Sequence, residues 1–559
     1  MTGLQQNLPK TGAGSMGEFD VIIIGAGFAG MYMLHRLRDG LGLSARVLEA
    51  ASGVGGTWHW NRYPGARCDS ESYYYSYSFS EELQQEWEWT EKYAAQPEIL
   101  RYLNYAADKF DLRRDIQLGT RVTSAIFDED GNRWEIRTDG GERFFAQFLI
   151  TAVGGLSAAN VPDIKGLDTF EGEWCHTGEW PQEGVDFAGK RVGVVGTGST
   201  GIQIIPKIAE EAGHLTVFQR TPNYSVPARN APMDPAFQEQ VKANYDEIRQ
   251  KQRKTPAGHP WDVGKKSALE VSQDERQAMY EAAWERGSLR FRSTFSDLII
   301  NKEANDTASE FIRSKIREIV EDPTVAETLT PYDHPYATKR PPIDTDYFET
   351  YNRDNVSLVD VKSSPIQEIT PKGIRTTDAE YELDVLVFAT GYDALTGAYL
   401  RMDIRGKGGR SLKEKWEAGP RTYLGLQIAG FPNMFTIVGP GSPSILTNVP
   451  TSIEHHVEWV SDCIEYMREG GFERIEANVD AEDAWVERVN EAAGRTLLPM
   501  AQSSWFLGGN IPGKPRVFMP YAGGLPTYIQ ICDEVAAKGY EGFALTAQRS
   551  TARDGALKK

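Results

Sequence analysis

Twice along this chain an unbroken apolar run gives way to glycines and then to a pattern of helical period. Residues 19–24 read Phe-Asp-Val-Ile-Ile-Ile, a β-branched run with little polar alternation, which predicts a short strand covered on both faces. It breaks at Gly25-Ala26-Gly27-Phe28-Ala29-Gly30 and continues as "MYMLHRLRDGL", whose apolar residues recur at helical spacing. The same events recur at Arg191-Val192-Gly193-Val194-Val195, then Gly196-Thr197-Gly198-Ser199-Thr200-Gly201, then "IQIIPKIAEEA". Further β-branched runs at 148–155, 383–394 and 434–443 end in small residues. The first two are expected to carry the chain between two strand-and-helix domains, and the third to return it to the first. Between 225 and 335 charged helical segments replace the strands, which predicts a mainly helical insertion. The stretch 170–181, "FEGEWCHTGEWP", has neither period.

The expected fold is α/β, with two Rossmann-like dinucleotide-binding domains. The first takes 1–150 and 385–559, and the second 151–224 and 336–384 around the helical insertion 225–335. In each GxGxxG loop the first glycine makes the tight turn, the second admits a pyrophosphate, and the third lets helix and strand close. The helix N-terminus then offers N–H groups to phosphate. Glu49 stands 24 positions after Gly25, and Arg220 stands 24 after Gly196, each at the end of its unit's second strand. That position faces the adenosine ribose. A carboxylate there accepts hydrogen bonds from a free 2′-OH, whereas a guanidinium pairs with a 2′-phosphate. The first cleft therefore suits FAD or NAD and the second NADPH, with Thr221 beside Arg220; together they describe a flavoprotein reduced by NADPH.

Bulk properties narrow the setting. The 559 residues are 40% hydrophobic and 25% charged, as in folded soluble proteins, and exceed what one core holds. Sixty Lys and Arg against 79 Asp and Glu give a net charge of −19, which argues against nucleic acid or an anionic membrane as partner. No apolar run approaches the ~20 residues that span a bilayer. The four cysteines, Cys68, Cys175, Cys463 and Cys532, form no closely spaced pair, so neither a metal knuckle nor a redox dithiol is expected, and a reducing cytoplasm fits. The first twenty residues lack a signal-peptide pattern and suggest a frayed lead-in, and "AQRSTARDGALKK" suggests a loose tail.

Two motifs carry a resemblance. Phe170, Gly172, His176, Trp180 and Pro181 fit Phe-x-Gly-x3-His-x3-(Phe/Trp)-(Pro/Asp), and Gly55, Gly56, Trp58, Tyr63, Pro64, Gly65 and Asp69 fit a second pattern in "GGTWHWNRYPGARCD". With the two GxGxxG units, the chain resembles the type I Baeyer–Villiger monooxygenases over nearly its whole length, nearest the phenylacetone and steroid monooxygenase branch. The resemblance implies a monomer that uses FAD, NADPH and O2 to turn ketones into esters or lactones, through an anionic C4a-peroxyflavin and a Criegee adduct. It implies that Arg340 stabilises the oxygenating species with Asp69 beside it, and that Lys339 joins Arg220 at the 2′-phosphate. Thr57, Trp58, His59, Trp60, Ala29, Tyr75 and Val122 would line the flavin, Trp505 would pack on the nicotinamide cofactor, and Ser444, Ile445 and Leu446 would shape the substrate pocket. His176 becomes a junction residue between the domains. His59 departs from a tyrosine in relatives, which puts flavin contact by that side chain in question. The main alternative is a flavin monooxygenase acting on nitrogen or sulfur, and a more distant one a non-catalytic redox sensor.

Arg220→Ala weakens NADPH relative to NADH by about 1–3 kcal/mol, the worth of a charge-assisted hydrogen bond. Steady-state kcat/KM for the two coenzymes measures this, and an unchanged ratio contradicts it.

Overall fold

The computed structural model describes residues 16–547, so most of the lead-in and all but the first residue of the tail lie outside the described residues. The strand Met16–Ile24 begins three residues before the apolar run, and Met16 is in register with Arg143 of a neighbouring strand. It lies in the middle of an eight-stranded sheet. The order is Asp403–Arg405, Val122–Asp128, Arg133–Thr138, Arg143–Thr151, Met16–Ile24, Ala45–Leu48, Ile116–Gln117, with Met434–Thr436 added parallel to Arg143–Thr151. The unbroken apolar run has a direct cause. Val21 and Ile23 enter one hydrophobic core, while Ile22 and Ile24 enter another on the opposite face. Each buried Val or Ile contributes about 1.5–3 kcal/mol, so neither face tolerates a polar residue.

A second sheet is fully parallel, in the order Val356–Asp360, His214–Gln219, Arg191–Val195, Val385–Phe388, Glu173–His176. Two expectations change here. The strand Val385–Phe388 pairs on both sides within this sheet, so the boundary at residue 385 cuts through the second domain; Val385 and Val387 share a core with Val192 and Val194. The stretch 170–181 is also not patternless. Glu173–His176 is an edge strand, whose period was hidden because only Cys175 and His176 are buried.

The insertion is mainly helical as expected, but it does not belong to one domain. Helices Pro235–Ala243 and Tyr245–Lys254 place Val241 and Tyr245 in the core of the first sheet. Helices Gln273–Arg286 and Lys302–Ile319 place Trp284, Phe311 and Ile312 in the core of the second. The insertion thus straddles the junction. Among the described residues no helix is long and apolar enough to cross a membrane.

One ion pair in the C-terminal part is almost wholly buried. Lys415 Nζ lies 2.7 Å from Glu482 Oε2, with side chains 5% and 1% exposed, and Glu482 Oε1 accepts the Ala429 N–H at 2.9 Å. Lys415→Met leaves the carboxylate with only Arg421, 3.9 Å away and partly exposed, and is expected to cost about 3 kcal/mol. Thermal unfolding should show a lowered midpoint, partly recovered in the Lys415→Met/Glu482→Leu double variant.

Candidate active site

Both glycine loops are built to receive phosphate. At Gly30 a Cβ atom would sit 1.8 Å from the Gly25 carbonyl oxygen, so helix and turn close only on glycine; at Gly198 a Cβ would meet no protein atom within 4 Å, leaving the approach free for a ligand. The helices that follow, Phe28–Leu34 and Ser199–Glu211, start at Gly27 and Gly198 with no side-chain cap. By contrast Asp234, Ser272, Asn301 and Asp322 cap four helices of the insertion, though Tyr245–Lys254 has no side-chain cap. The two loop helices leave their first N–H groups for an anion. These features fit the diphosphates of two dinucleotides.

The two strand ends differ in burial and charge. Glu49 is buried, and its carboxylate accepts the N–H of Ala26 at 2.6 Å and of Ala51 at 2.7 Å. Burial raises its pKa, and these N–H groups oppose the rise. Thr120 N–H donates to the Glu49 carbonyl at 2.8 Å, two residues before Val122 begins the next strand. In the second unit Arg220 is exposed, and Thr197 Oγ1 ties the loop to the Thr221 carbonyl at 3.3 Å. Lys339 has its pKa lowered, first by burial and also by the nearby charge of Arg220, while Asp333 opposes the shift. Its Nζ is 3.6 Å from Asp333. Two cations facing one another suit a phosphate dianion.

The aromatic motif folds onto the first loop. Gly55 N–H donates to the Ala26 carbonyl at 2.9 Å, and the short helix Thr57–Trp60 follows. Trp58 Nε1 donates to Tyr75 OH at 3.2 Å, ring edge against ring face. Thr57 is exposed and Trp60 half-buried. The His59 ring packs on Gly53 and approaches Ser52 Oγ at 3.5 Å, away from the Trp58–Tyr75 pair. Burial, aided by Arg62, lowers its pKa to about 4, so it is neutral near pH 7.

Arg340 joins three distant segments. Its Nε donates to Asp69 Oδ2 at 3.2 Å, and its Nη1 to the Ile445 carbonyl at 3.0 Å. Asp69 is 9% exposed and Arg340 30%. Burial pushes the Asp69 carboxyl up, against the pull of Arg340 and of the Ile343 N–H. Arg340 lines a cavity of about 190 Å³ with Ile445, Leu446, Phe506, His259 and Arg292. Of the three residues expected to shape the pocket, Ile445 and Leu446 line this cavity, whereas Ser444, 0% exposed at φ 46°, does not. Trp505, expected against the nicotinamide cofactor, is half-buried, its ring 4.8 Å from that of Phe506 in the cavity wall.

The fingerprint segment connects the two halves. His176 Nδ1 accepts the Gly178 N–H at 3.0 Å, and burial lowers its pKa to about 4. Its ring stands edge-on to Tyr392 at 6.1 Å. Tyr392 OH donates to Asn61 Oδ1, and Asn61 Nδ2 donates to the Thr57 carbonyl at 2.9 Å. Tyr63 OH donates to Gln203 Oε1 at 2.8 Å, a second bond from the aromatic motif to the helix of the other domain. Trp180 is buried against Phe187, and Trp180 and Pro181 line an open cleft, while Phe170 packs under the second sheet. Sequence reasoning assigned no role to Asn61, His259, Arg292 or Tyr392. No local pattern distinguishes them, because each matters through a contact far away in the chain.

Two phosphate-receiving turns on separate sheets, in a chain that also holds a half-buried guanidinium at a cavity, define a two-dinucleotide oxidoreductase. Residues 22–259 match the family described as pyridine nucleotide-disulphide oxidoreductase, although all four cysteines are free and buried. A Baeyer–Villiger monooxygenase of Pseudooceanicola batsensis is 48% identical over 94% of this chain and 95% of its own length. A phenazine N-monooxygenase of Lysobacter antibioticus is 46% identical over 96% and 98%. The solved structure of an oxidized steroid monooxygenase bound to NADP has a TM-score of 0.90 at 55% identity, covering 95% of this chain and 100% of its own. Another solved relative holds FAD and NADP together. The chain belongs to the type I Baeyer–Villiger monooxygenases, flavoproteins that use FAD and NADPH.

The bond from Tyr392 to Asn61 is the narrowest link between the fingerprint and the aromatic motif. Tyr392→Phe removes a buried bond worth about 1–3 kcal/mol. The NADPH-dependent bleaching of flavin absorbance in a stopped-flow experiment should slow by about tenfold, for roughly 1.4 kcal/mol at the barrier. An unchanged rate would show that the link does not couple the sites.

Proposed function

We propose that this enzyme inserts one oxygen atom of O2 beside the carbonyl of a small-molecule ketone, giving an ester or lactone, at the cavity that Arg340 faces. The observation that carries the reading is the double tether of Arg340 to Asp69 and to the Ile445 carbonyl. FAD sits against Gly25, Gly27, Ala29, Gly30 and Glu49, with Thr57, Trp58, Trp60, Tyr75 and Val122 closing round it. NADPH sits against Gly196, Thr197, Gly198, Ser199, Thr200 and Gly201, its 2′-phosphate held by Arg220, Thr221 and Lys339. When bound, the reduced flavin supplies the O2-activating chemistry.

The protein's own contribution is positional and electrostatic. Nucleophilic attack on a ketone places negative charge on the carbonyl oxygen, and a fixed donor aimed there lowers the barrier. Arg340 suits this task because a guanidinium stays charged when half-buried. Two of its donors are already committed, and Nη2 has no protein partner among the described residues. Asp69 keeps the fork oriented and offsets part of its desolvation. His176, through Tyr392 and Asn61, positions the aromatic motif from the far side of the junction and is not itself a catalytic residue.

The N-monooxygenase relative favours a second reading, oxygen transfer to an amine or heteroaromatic nitrogen. That reaction generates no oxyanion on a carbonyl and has no need of the Arg340 fork. Arg340→Ala decides between them. On the ketone reading it keeps NADPH-dependent flavin bleaching and loses ester formation by about 10²-fold or more, the usual cost of one oxyanion donor. Near-normal ester yield from the variant would refute the assignment.

A further inference from the structure

The cavity holds a second guanidinium that the reaction above does not use. Arg292 lies in the turn Leu289–Ser293 and lines the same cavity as Arg340. Its basic neighbours are accounted for. Arg340 is paired with Asp69. Arg290 is paired with Glu71 and lies over the Trp261 ring. His259 stacks flat on Trp261 at 4.4 Å and is held neutral by burial and by the three arginines around it. Arg292 makes no hydrogen bond or ion pair among the described residues. The charged or ionisable groups that act on it are Arg340 and the Tyr336 phenol, and no carboxylate is within range.

A cation held in a largely apolar cavity without a counter-charge is unfavourable, because it loses hydration and gains nothing in return. The remaining wall deepens the contrast, with Leu289, Ile299, Ile445, Leu446, Leu498 and Phe506 around the two arginines. Arg340 carries its own carboxylate into the site and Arg292 does not, so the cavity has one excess positive charge. We propose that Arg292 binds the carboxylate of the substrate, so that the preferred ketones are keto acids: an apolar body with the carbonyl at Arg340 and the carboxylate at Arg292. A bidentate guanidinium–carboxylate contact would fix both ends of the molecule and hence which side of the carbonyl lies toward the incoming oxygen. This substrate class rests on the ketone-oxygenating reading above.

The test compares methyl keto acids CH3CO(CH2)nCO2⁻, over a series of chain lengths, with their primary amides. At the best chain length the holoenzyme should favour the acid over the amide by at least about tenfold in kcat/KM, the discrimination of one charge-assisted contact. Arg292→Leu should bring the acid-to-amide ratio to about one, and Arg292→Lys should keep part of it. Calorimetric titration of the holoenzyme with hexanoate and hexanamide, which cannot react, gives an independent readout; hexanoate should bind more tightly, and Arg292→Leu should remove the difference. If neither ketone series is oxygenated but hexanoate binds through Arg292, the anion site stands and the ketone reading falls. If amides are oxygenated as well as acids throughout, or Arg292→Leu leaves the ratio unchanged, the proposal is overturned.

Discussion

A guanidinium at the edge of a cavity is useful for chemistry only if it is held, and Arg340 is held by groups 271 and 105 positions away in sequence. Asp69 comes from the aromatic motif beside the first glycine loop, and Ile445 from the turn before a long C-terminal helix. Neither could reach Arg340 if the two sheets were free to drift. The insertion makes drift costly, because its early helices are packed in one core and its late helices in the other. The architecture brings one cation, its carboxylate and a C-terminal turn together at one cavity.

The fingerprint segment has the complementary task. His176 ends an edge strand of the second sheet, where its ring meets Tyr392 of the neighbouring loop, and Tyr392 reaches through Asn61 to the backbone of Thr57. The histidine is buried, and its Nδ1 accepts the Gly178 N–H. The segment holds only a four-residue edge strand followed by a tight turn, too short for a period to show.

Much of the design was legible in the sequence because it depends on local rules. The two strand–glycine–helix units, and the contrast between Glu49 and Arg220, follow from backbone geometry and from charge against a ribose or a phosphate. The resemblance supplied Arg340 and Asp69, whose pairing no spacing could reveal. What was not legible depends on tertiary contact. The strand Val385–Phe388 reads as well for a return segment as for the centre of a sheet, and only its two neighbours decide. Ser444 sits in the expected turn yet faces inward, because its backbone takes a positive φ. Arg292, within "LRFRST", carries no sign that one arginine of that run is paired outside and the other turns into a cavity.

Oxygen labelling tests the central claim most directly. With NADPH, a ketone and ¹⁸O2, the account predicts one labelled atom in the ring or ester oxygen of the product, with the unlabelled ketone oxygen retained as carbonyl. NADPH oxidation without label in any ester, or label found only on nitrogen when an amine is offered beside the ketone, would contradict it.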